Sequence, residues 1–449
     1  MTRLILWLMI PAASVFAQQQ DALSLAEAVA TAQKQHPAVQ GAQARTTAAG
    51  YRVEQARGGY LPRLDYMESY QRSNNPVFVF STLLTQRRFT EQNFQIDALN
   101  NPGSVQNFQS VVSAEQMVFD GGVTRKRIQS AQLQQKLSAE DQRRIANDLA
   151  AGAVRAYLGA LLAEESLKVA SEAVRSAQAD LERAEIVRNA GMSTDADVLS
   201  IRVHLAAVRE HEIRAKAQRE VAQAALNDVL GAPLDTPRNL STALTPAPAS
   251  SVLTPREQLE AKAQQERPDA RQAGLALDLA RTQSDLAKSA FLPQVSLRGA
   301  LEADRGKFVT QAGGNWFAGV SLRWNLFNGF TDRNRQREAA ESLAAAQSDR
   351  KQLESALKLG VRKAYADLTS ATERIQVAEA AIAQAEESLR ITRNRFGSGL
   401  NTVTDLLRTE VALQESRLRR LSAVHDQRVA AAMLEYAAGT LTADSEVLR

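Results

Sequence analysis

Two copies of one turn, 208 residues apart, constrain this 449-residue chain more than any other feature in it. One copy is Arg395-Phe396-Gly397-Ser398-Gly399-Leu400-Asn401-Thr402-Val403-Thr404-Asp405-Leu406-Leu407. The other is Asn189-Ala190-Gly191-Met192-Ser193-Thr194-Asp195-Ala196-Asp197-Val198-Leu199. Gly191 matches Gly399, Thr194 matches Thr402, Asp197 matches Asp405 and Leu199 matches Leu407. Glycine supplies the left-handed residue that ends a helix, and Thr-x-x-Asp caps the next one. Each copy therefore predicts the sharp tip of a helical hairpin, at about 189–195 and 397–403. A chain that carries two such tips is one architecture built twice.

The repeat extends well beyond the tips. A helical, Ala/Gln-rich pattern from about Leu23 to Gly58 is interrupted at His36-Pro37 and ends at Tyr60-Leu61-Pro62. A second such pattern, from about Arg256 to Ala290, is interrupted at Arg267-Pro268 and ends at Phe291-Leu292-Pro293. Val118-Phe119-Asp120-Gly121 and Leu326-Phe327-Asn328-Gly329 then open two long helical patterns. The Pro pairs are offset by 231 residues and the Gly pairs by 208, so the first copy holds 23 additional residues between Pro62 and Phe119. The longer connection that results contains Pro76, Asn100, Asn101 and Pro102 and reads as polar. The resulting plan has a first repeat at 18–231, a Pro-rich linker at 232–255, a second repeat at 256–439 and a tail at 440–449.

Between the Pro and Gly markers lie strand patterns at about 62–72, 108–119, 293–303 and 316–327. Val295, Leu297, Gly299 and Leu301 alternate with Gln294, Ser296, Arg298 and Glu302. Leu64, Tyr66 and Tyr70 share one face, as do Trp316, Ala318, Val320, Leu322, Trp324 and Leu326. Runs of about 10 alternating residues match a transmembrane β-strand. Trp316, Phe317, Trp324 and Phe327 stand near the ends of one run, where interfacial aromatics belong. Backbone groups in lipid must all be paired, so such strands must close into a barrel. Four strands are too few. Two chains would give eight and three would give 12.

The long helices carry a seam. Leu357, Val361, Ala364, Leu368, Ala371, Ile375, Ala378, Ile382, Ala385 and Leu389 alternate spacings of four and three, the coiled-coil period. Their counterparts 208 residues upstream are all apolar. At 1.5 Å per residue a helix of ~67 residues spans about 100 Å, and two of ~35 stacked end to end match it. Each copy reads as a rod with its strands at one end and its tip at the other. The fold class is mainly α with a small β part.

Residues 1–17 read as a secretory signal peptide, with Arg3, an apolar run from Leu4 to Ile10 and a Val15-Phe16-Ala17 cleavage site. There is no cysteine, hence no disulfide and no thiolate metal site. A balance of 54 basic against 50 acidic residues gives no reason to expect nucleic acid. The four histidines do not cluster at ligand spacing. His204 and His211 can share a helix face, but they lack the third and fourth ligands that zinc takes. No nucleophile elbow, phosphate loop or paired-carboxylate pattern is present, so no enzyme, cofactor or metal is expected.

The duplicated plan, the Leu-Pro entries at Pro62 and Pro293, the Phe-Asp/Asn-Gly exits at Gly121 and Gly329, and the paired Gly-x-x-Thr-x-x-Asp tips together resemble the TolC family of outer-membrane efflux channels. The resemblance covers nearly all of the chain after residue 17. It implies a homotrimer in outer-membrane lipid, with a 12-stranded β-barrel, a coiled-coil helical barrel in the periplasm, and the role of exit duct in a tripartite efflux or type I secretion system. It also implies two partners, a periplasmic adaptor and an inner-membrane transporter. Gly191, Met192, Gly399 and Leu400 become the candidate adaptor contacts. Asp197 and Asp405 become candidates for the periplasmic aperture, although both also suit a helix cap. Arg408 stands where some relatives carry a second aspartate. A stand-alone porin or a structural periplasmic coiled coil are the alternative functions.

Overall fold

Start and stop signals in the sequence set the helix boundaries in the computed structural model, which describes residues 22–248, 254–309 and 311–449. The expected signal peptide at 1–17 and residues 249–253 of the expected linker lie outside the described residues. Ser24 caps helix α1 (Leu25–Gln35) in a box with Glu27, and Pro37 opens α2 (Pro37–Arg57). Strand β1 (Arg63–Ser73) is followed by α3 (Pro76–Thr85), α4 (Ile96–Asn100) and β2 (Val105–Phe119). Next come α5 (Val123–Asn189), α6 (Asp195–Leu230), α7 (Arg256–Glu266) and α8 (Pro268–Ser289). Strands β3 (Gln294–Arg305) and β4 (Gly313–Arg323) precede α9 (Thr331–Gly397) and α10 (Val403–Ala438). The duplication is exact in the long helices: α5 and α9 have 67 residues each, and α6 and α10 have 36.

The chain divides into two units. One is drawn from Ile145–Arg267 and Leu357–Arg449, with the N-terminal stretch up to Gln40. Its core packs Leu25, Val29, Val154, Tyr157, Leu226 and Leu434, all nearly free of solvent. Such burial stabilises by roughly 25 cal/mol per Å² of apolar surface. The Tyr157 hydroxyl donates to the Leu23 carbonyl at 2.8 Å and accepts from the Thr242 N–H at 3.1 Å. It thereby ties the start of the first repeat to the linker. The described part of the linker is thus bound structure: Leu23 bridges Leu240 in parallel, and Ala247 is buried. The tail is bound too, with Leu441, Val447 and Leu448 in the core. The seam residues Val361, Leu368, Ala371, Ile375 and Leu389 are buried.

The other unit is drawn from Gly41–Arg144 and Pro268–Ala356 and holds one antiparallel sheet in the order β1-β2-β3-β4. The connection between β1 and β2 differs from its expectation as a polar loop. It carries α3 and α4, and Phe80, Phe89 and Phe94 pack edge to face within it, with centroids 5.0 to 6.5 Å apart. Asn75 caps α3 through Val77 and Phe78, with Pro76 at the first helical position.

Candidate duct surfaces and hairpin tips

Directly opposed residues of an antiparallel pair share a face, so the register assigns every strand residue to a side. On one side Tyr66 opposes Val112, Val112 opposes Leu301, and Leu301 opposes Trp316. Leu64, Leu297, Val320 and Leu322 lie on that side, and all of these large apolar side chains are exposed. A band this wide marks a surface built for lipid or protein. The apolar side also carries an ion pair, Glu68 with Arg305 at 2.8 Å, and the opposite side is mainly polar, with Met67 and Val111 among its polar residues. Arg298 lies 3.0 Å from Glu115, Gln109 donates to Glu302 at 2.6 Å, and Asn107 donates to Asp304 at 2.5 Å. A sheet with one apolar and one hydrogen-bonded polar face is what a lipid-facing wall with a wet interior requires.

A register shift between Met117 and Phe119 puts Phe119 opposite Val295, on the apolar side. One extra residue at this bulge re-aims the end of the strand. Three aromatic residues differ from expectation. Phe317 opposes Ala300 on the polar side and lies against Gly319, where an added Cβ would be 2.7 Å from its ring. Trp324 and Phe327 lie beyond β4, which ends at Arg323. The Trp324 ring N–H donates to the Phe291 carbonyl at 3.1 Å, outside the ladder.

The strand–helix junctions hold the other candidate residues. Pro62 and Pro293 immediately precede β1 and β3. Gly121 and Gly329 both have φ of +66°. The Asp120 carboxylate accepts from the N–H groups of Gly122 and Thr124 at 2.9 and 2.6 Å. It satisfies donors that the start of α5 leaves open.

Both tips are built alike. The Gly191 N–H donates to Arg188 O and the Met192 N–H to Val187 O, at 2.9 and 3.0 Å. The Gly399 N–H donates to Phe396 O and the Leu400 N–H to Arg395 O, at 2.9 and 2.8 Å. This pair of bonds is the Schellman closure, with glycine in the left-handed position. In that closure the residue after glycine commonly packs back on the helix. Here Met192 and Leu400 are instead 75% and 70% exposed. Beyond each glycine a capping box starts the return helix. Asp197 and Asp405 each accept from the preceding threonine's hydroxyl at 2.8 Å and return their own N–H to it at 3.2 Å. These threonine bonds, hydroxyl first and then backbone, hold both carboxyls below their ordinary value.

Among the described residues no group of His, Asp and Glu is arranged to hold a metal ion, and no helix is long and apolar enough to cross a membrane. The latter says nothing of strands.

A family model for outer membrane efflux proteins matches residues 28–232 and 259–440. Protein CyaE of Bordetella pertussis is 29% identical over 95% of this chain and 86% of its own length. The alkaline protease secretion protein AprF of Pseudomonas aeruginosa is 27% identical over 100% of this chain and 91% of its own. Among solved structures, the open state of the Neisseria gonorrhoeae MtrE outer membrane channel superposes with a TM-score of 0.75 at 18% identity. It covers 94% of this chain and 90% of that one.

Proposed function

Because this chain belongs to the outer membrane efflux protein family, we propose that it is the outer-membrane exit duct of a tripartite efflux or type I secretion machine. The two-faced sheet carries this reading. Its outer strands, β1 and β4, each leave one edge without a partner among the described residues. Lipid does not tolerate an unpaired edge, so β1 of one copy pairs with β4 of the next. Three copies close 12 strands around an aqueous interior lined by the Arg298–Glu115 and Gln109–Glu302 side. The helices of both repeats extend the duct into the periplasm. The exposed apices at Met192 and Leu400 meet the periplasmic adaptor, which recruits the inner-membrane transporter. Asp197 and Asp405 line the periplasmic aperture while capping their helices. Conduction is passive.

A stand-alone porin gives no role to two helices of 67 residues, and a periplasmic coiled coil gives none to an exposed apolar sheet face. Mass measurement of the detergent-extracted protein, followed by conductance in planar bilayers, tests the proposal. Three chains per particle with a conducting pore are expected. A folded, membrane-inserted monomer rules out the closure.

A further inference from the structure

Each of the four long-hairpin helices contributes one ionisable side chain to a single cluster near the tips. Asp180 comes from α5, His204 from α6, Arg393 from α9 and Glu410 from α10. Arg393 Nη2 lies 2.8 Å from Glu410 Oε1 and 3.2 Å from Asp180 Oδ2, and it also donates to Ser176. His204 Nε2 stands 3.6 Å from Glu410 Oε2. The side chains of Asp180, Glu410 and His204 are only 5%, 9% and 12% exposed. Two carboxyls and an imidazole therefore share a site from which water is mostly excluded, with the Arg393 guanidinium at its edge, its side chain 36% exposed.

The other repeat shows that this burial is not simply inherited from the duplication. Residues 208 positions before Arg393 and Glu410 are Glu185 and Arg202. These also pair, at 2.7 Å, with the charges exchanged. That pair is solvated, with side chains 35% and 55% exposed. In the second repeat's pair the acid alone is buried, Glu410 at 9% exposed against 36% for Arg393, because α5 and α6 bring a second acid and a histidine over it.

We propose that Asp180, His204, Arg393 and Glu410 form a proton-responsive latch that fastens the two hairpins of one chain to each other. In the latched state Glu410 is protonated and hydrogen-bonded to the Asp180 carboxylate, and Arg393 balances the single remaining negative charge. Burial first, and then the hydrogen bond and charge of Asp180, push the Glu410 carboxyl up to about 8. Burial holds the His204 imidazole below its ordinary value, so it is neutral at neutral pH. Among the described residues, Glu172 on α5 and Arg417 on α10 line the cavity beside the cluster. Arg417 pairs with Glu172 and Glu386, and Arg183 lies 3.6 Å from Asp180. Among the described residues Glu410 pairs with Arg393 and, when the imidazole is protonated, with His204, but with neither Arg183 nor Arg417. A cavity of about 60 Å³, lined by His204, Glu410, Ser176 and Glu172, has the volume to admit water for proton exchange.

The sign follows from linkage. Glu410 binds its proton more tightly folded than unfolded, so its contribution is full below 4.5 and is lost as pH rises through about 8. His204 binds its proton less tightly folded, so its contribution is lost as pH falls below 6.5. Below 6.5 the two slopes oppose each other. Above it only Glu410 titrates, and the latch loosens toward alkaline pH.

The chain has no cysteine, so spin labels at Met192→Cys and Leu400→Cys report the separation of the two tips without background. Labelled chains are diluted with unlabelled ones, and distances are measured from pH 6 to 9. A narrow distribution that broadens with a midpoint near pH 8 is expected. Glu410→Gln, which keeps the neutral amide bonded to Asp180, holds the narrow distribution throughout. Asp180→Asn moves the midpoint lower. An unchanged distribution in the parent from pH 6 to 9, or a Glu410→Gln variant that titrates like the parent, overturns the latch.

Discussion

A methyl group added to Gly121 would lie 2.8 Å from the Cβ of Leu292. The same methyl would be 3.3 Å from the Ser289 carbonyl oxygen. Leu292 belongs to the Leu-Pro entry of the second repeat and Gly121 to the exit of the first, so this contact joins the two junctions. Gly329, the duplicate of Gly121, has the same φ of +66° but meets nothing within 4 Å. The pair separates backbone strain from steric contact. Gly329→Ala carries only the left-handed penalty, about 1–2 kcal/mol. Gly121→Ala carries that and overpacking worth another ~1–3 kcal/mol. Thermal unfolding of the purified assembly is expected to rank Gly121→Ala well below Gly329→Ala. Equal losses would mean that the Leu292 contact does not matter.

The capping boxes give a pH signature. Thr402→Ala removes the hydroxyl that Asp405 binds and is expected to cost about 1 kcal/mol locally. Thr402 holds the Asp405 carboxyl below its ordinary 3.8. A depressed carboxyl contributes above its unfolded value and loses that contribution as pH falls through the folded one. The difference between Thr402→Ala and the parent is therefore expected to persist from pH 7 down to 4 and to close only below 3.8. Limited proteolysis at 398–402 across that range measures it. A gap that closes near neutrality would assign the cap to another group.

The connection between β1 and β2 is expected to face the cell exterior. Gly103 lies in it, and an added Cβ there meets nothing within 4 Å. A Gly103→Cys chain should react with a membrane-impermeant maleimide on intact cells. Met192→Cys should react only after the outer membrane is opened. Labelling of Gly103→Cys that also requires rupture would place the loop on the periplasmic side.

How much of this was legible beforehand depended on the range of the interaction. Helix ends were legible because Thr402, Asp405 and Gly399 act on backbone groups three to five residues away. The seam was legible because Val361 and Leu368 repeat with the helix period. Strand faces were legible in the alternation of Leu297 with Arg298, but the bulge at Met117–Phe119 and the ends of β4 were not. Those depend on pairing with another strand. The apolar run Val77-Phe78-Val79-Phe80 was in view, but the packing of Phe80 on Phe89 depends on how the connection folds back on itself. The Asp180–Glu410 cluster left no local trace at all. Its four members are brought together only when the two hairpins pack, and His204 alone reads as an ordinary helix histidine.

Leu400 supplies the sharpest test of the tips. Its N–H closes the turn while its side chain stays in solvent. A leucine held exposed at a hydrogen-bonded apex gains by burial only against another molecule. Leu400→Asp leaves the N–H bond to Arg395 O and the left-handed glycine intact, so the turn survives. It changes no residue of the sheet edges or of the buried seam, so assembly and insertion are expected to match the parent. Burying the new carboxylate in an apolar contact has no compensating partner, and export is expected to fall to background. Asp405→Asn should do the reverse. It removes a charge beside the aperture while its amide oxygen still accepts from Thr402, so cation preference falls and adaptor cross-linking persists. Cross-linking, conductance and export are measured on both variants. If Leu400→Asp cross-links and exports like the parent, the adaptor must bind along the helices, and the exposed apices have another use.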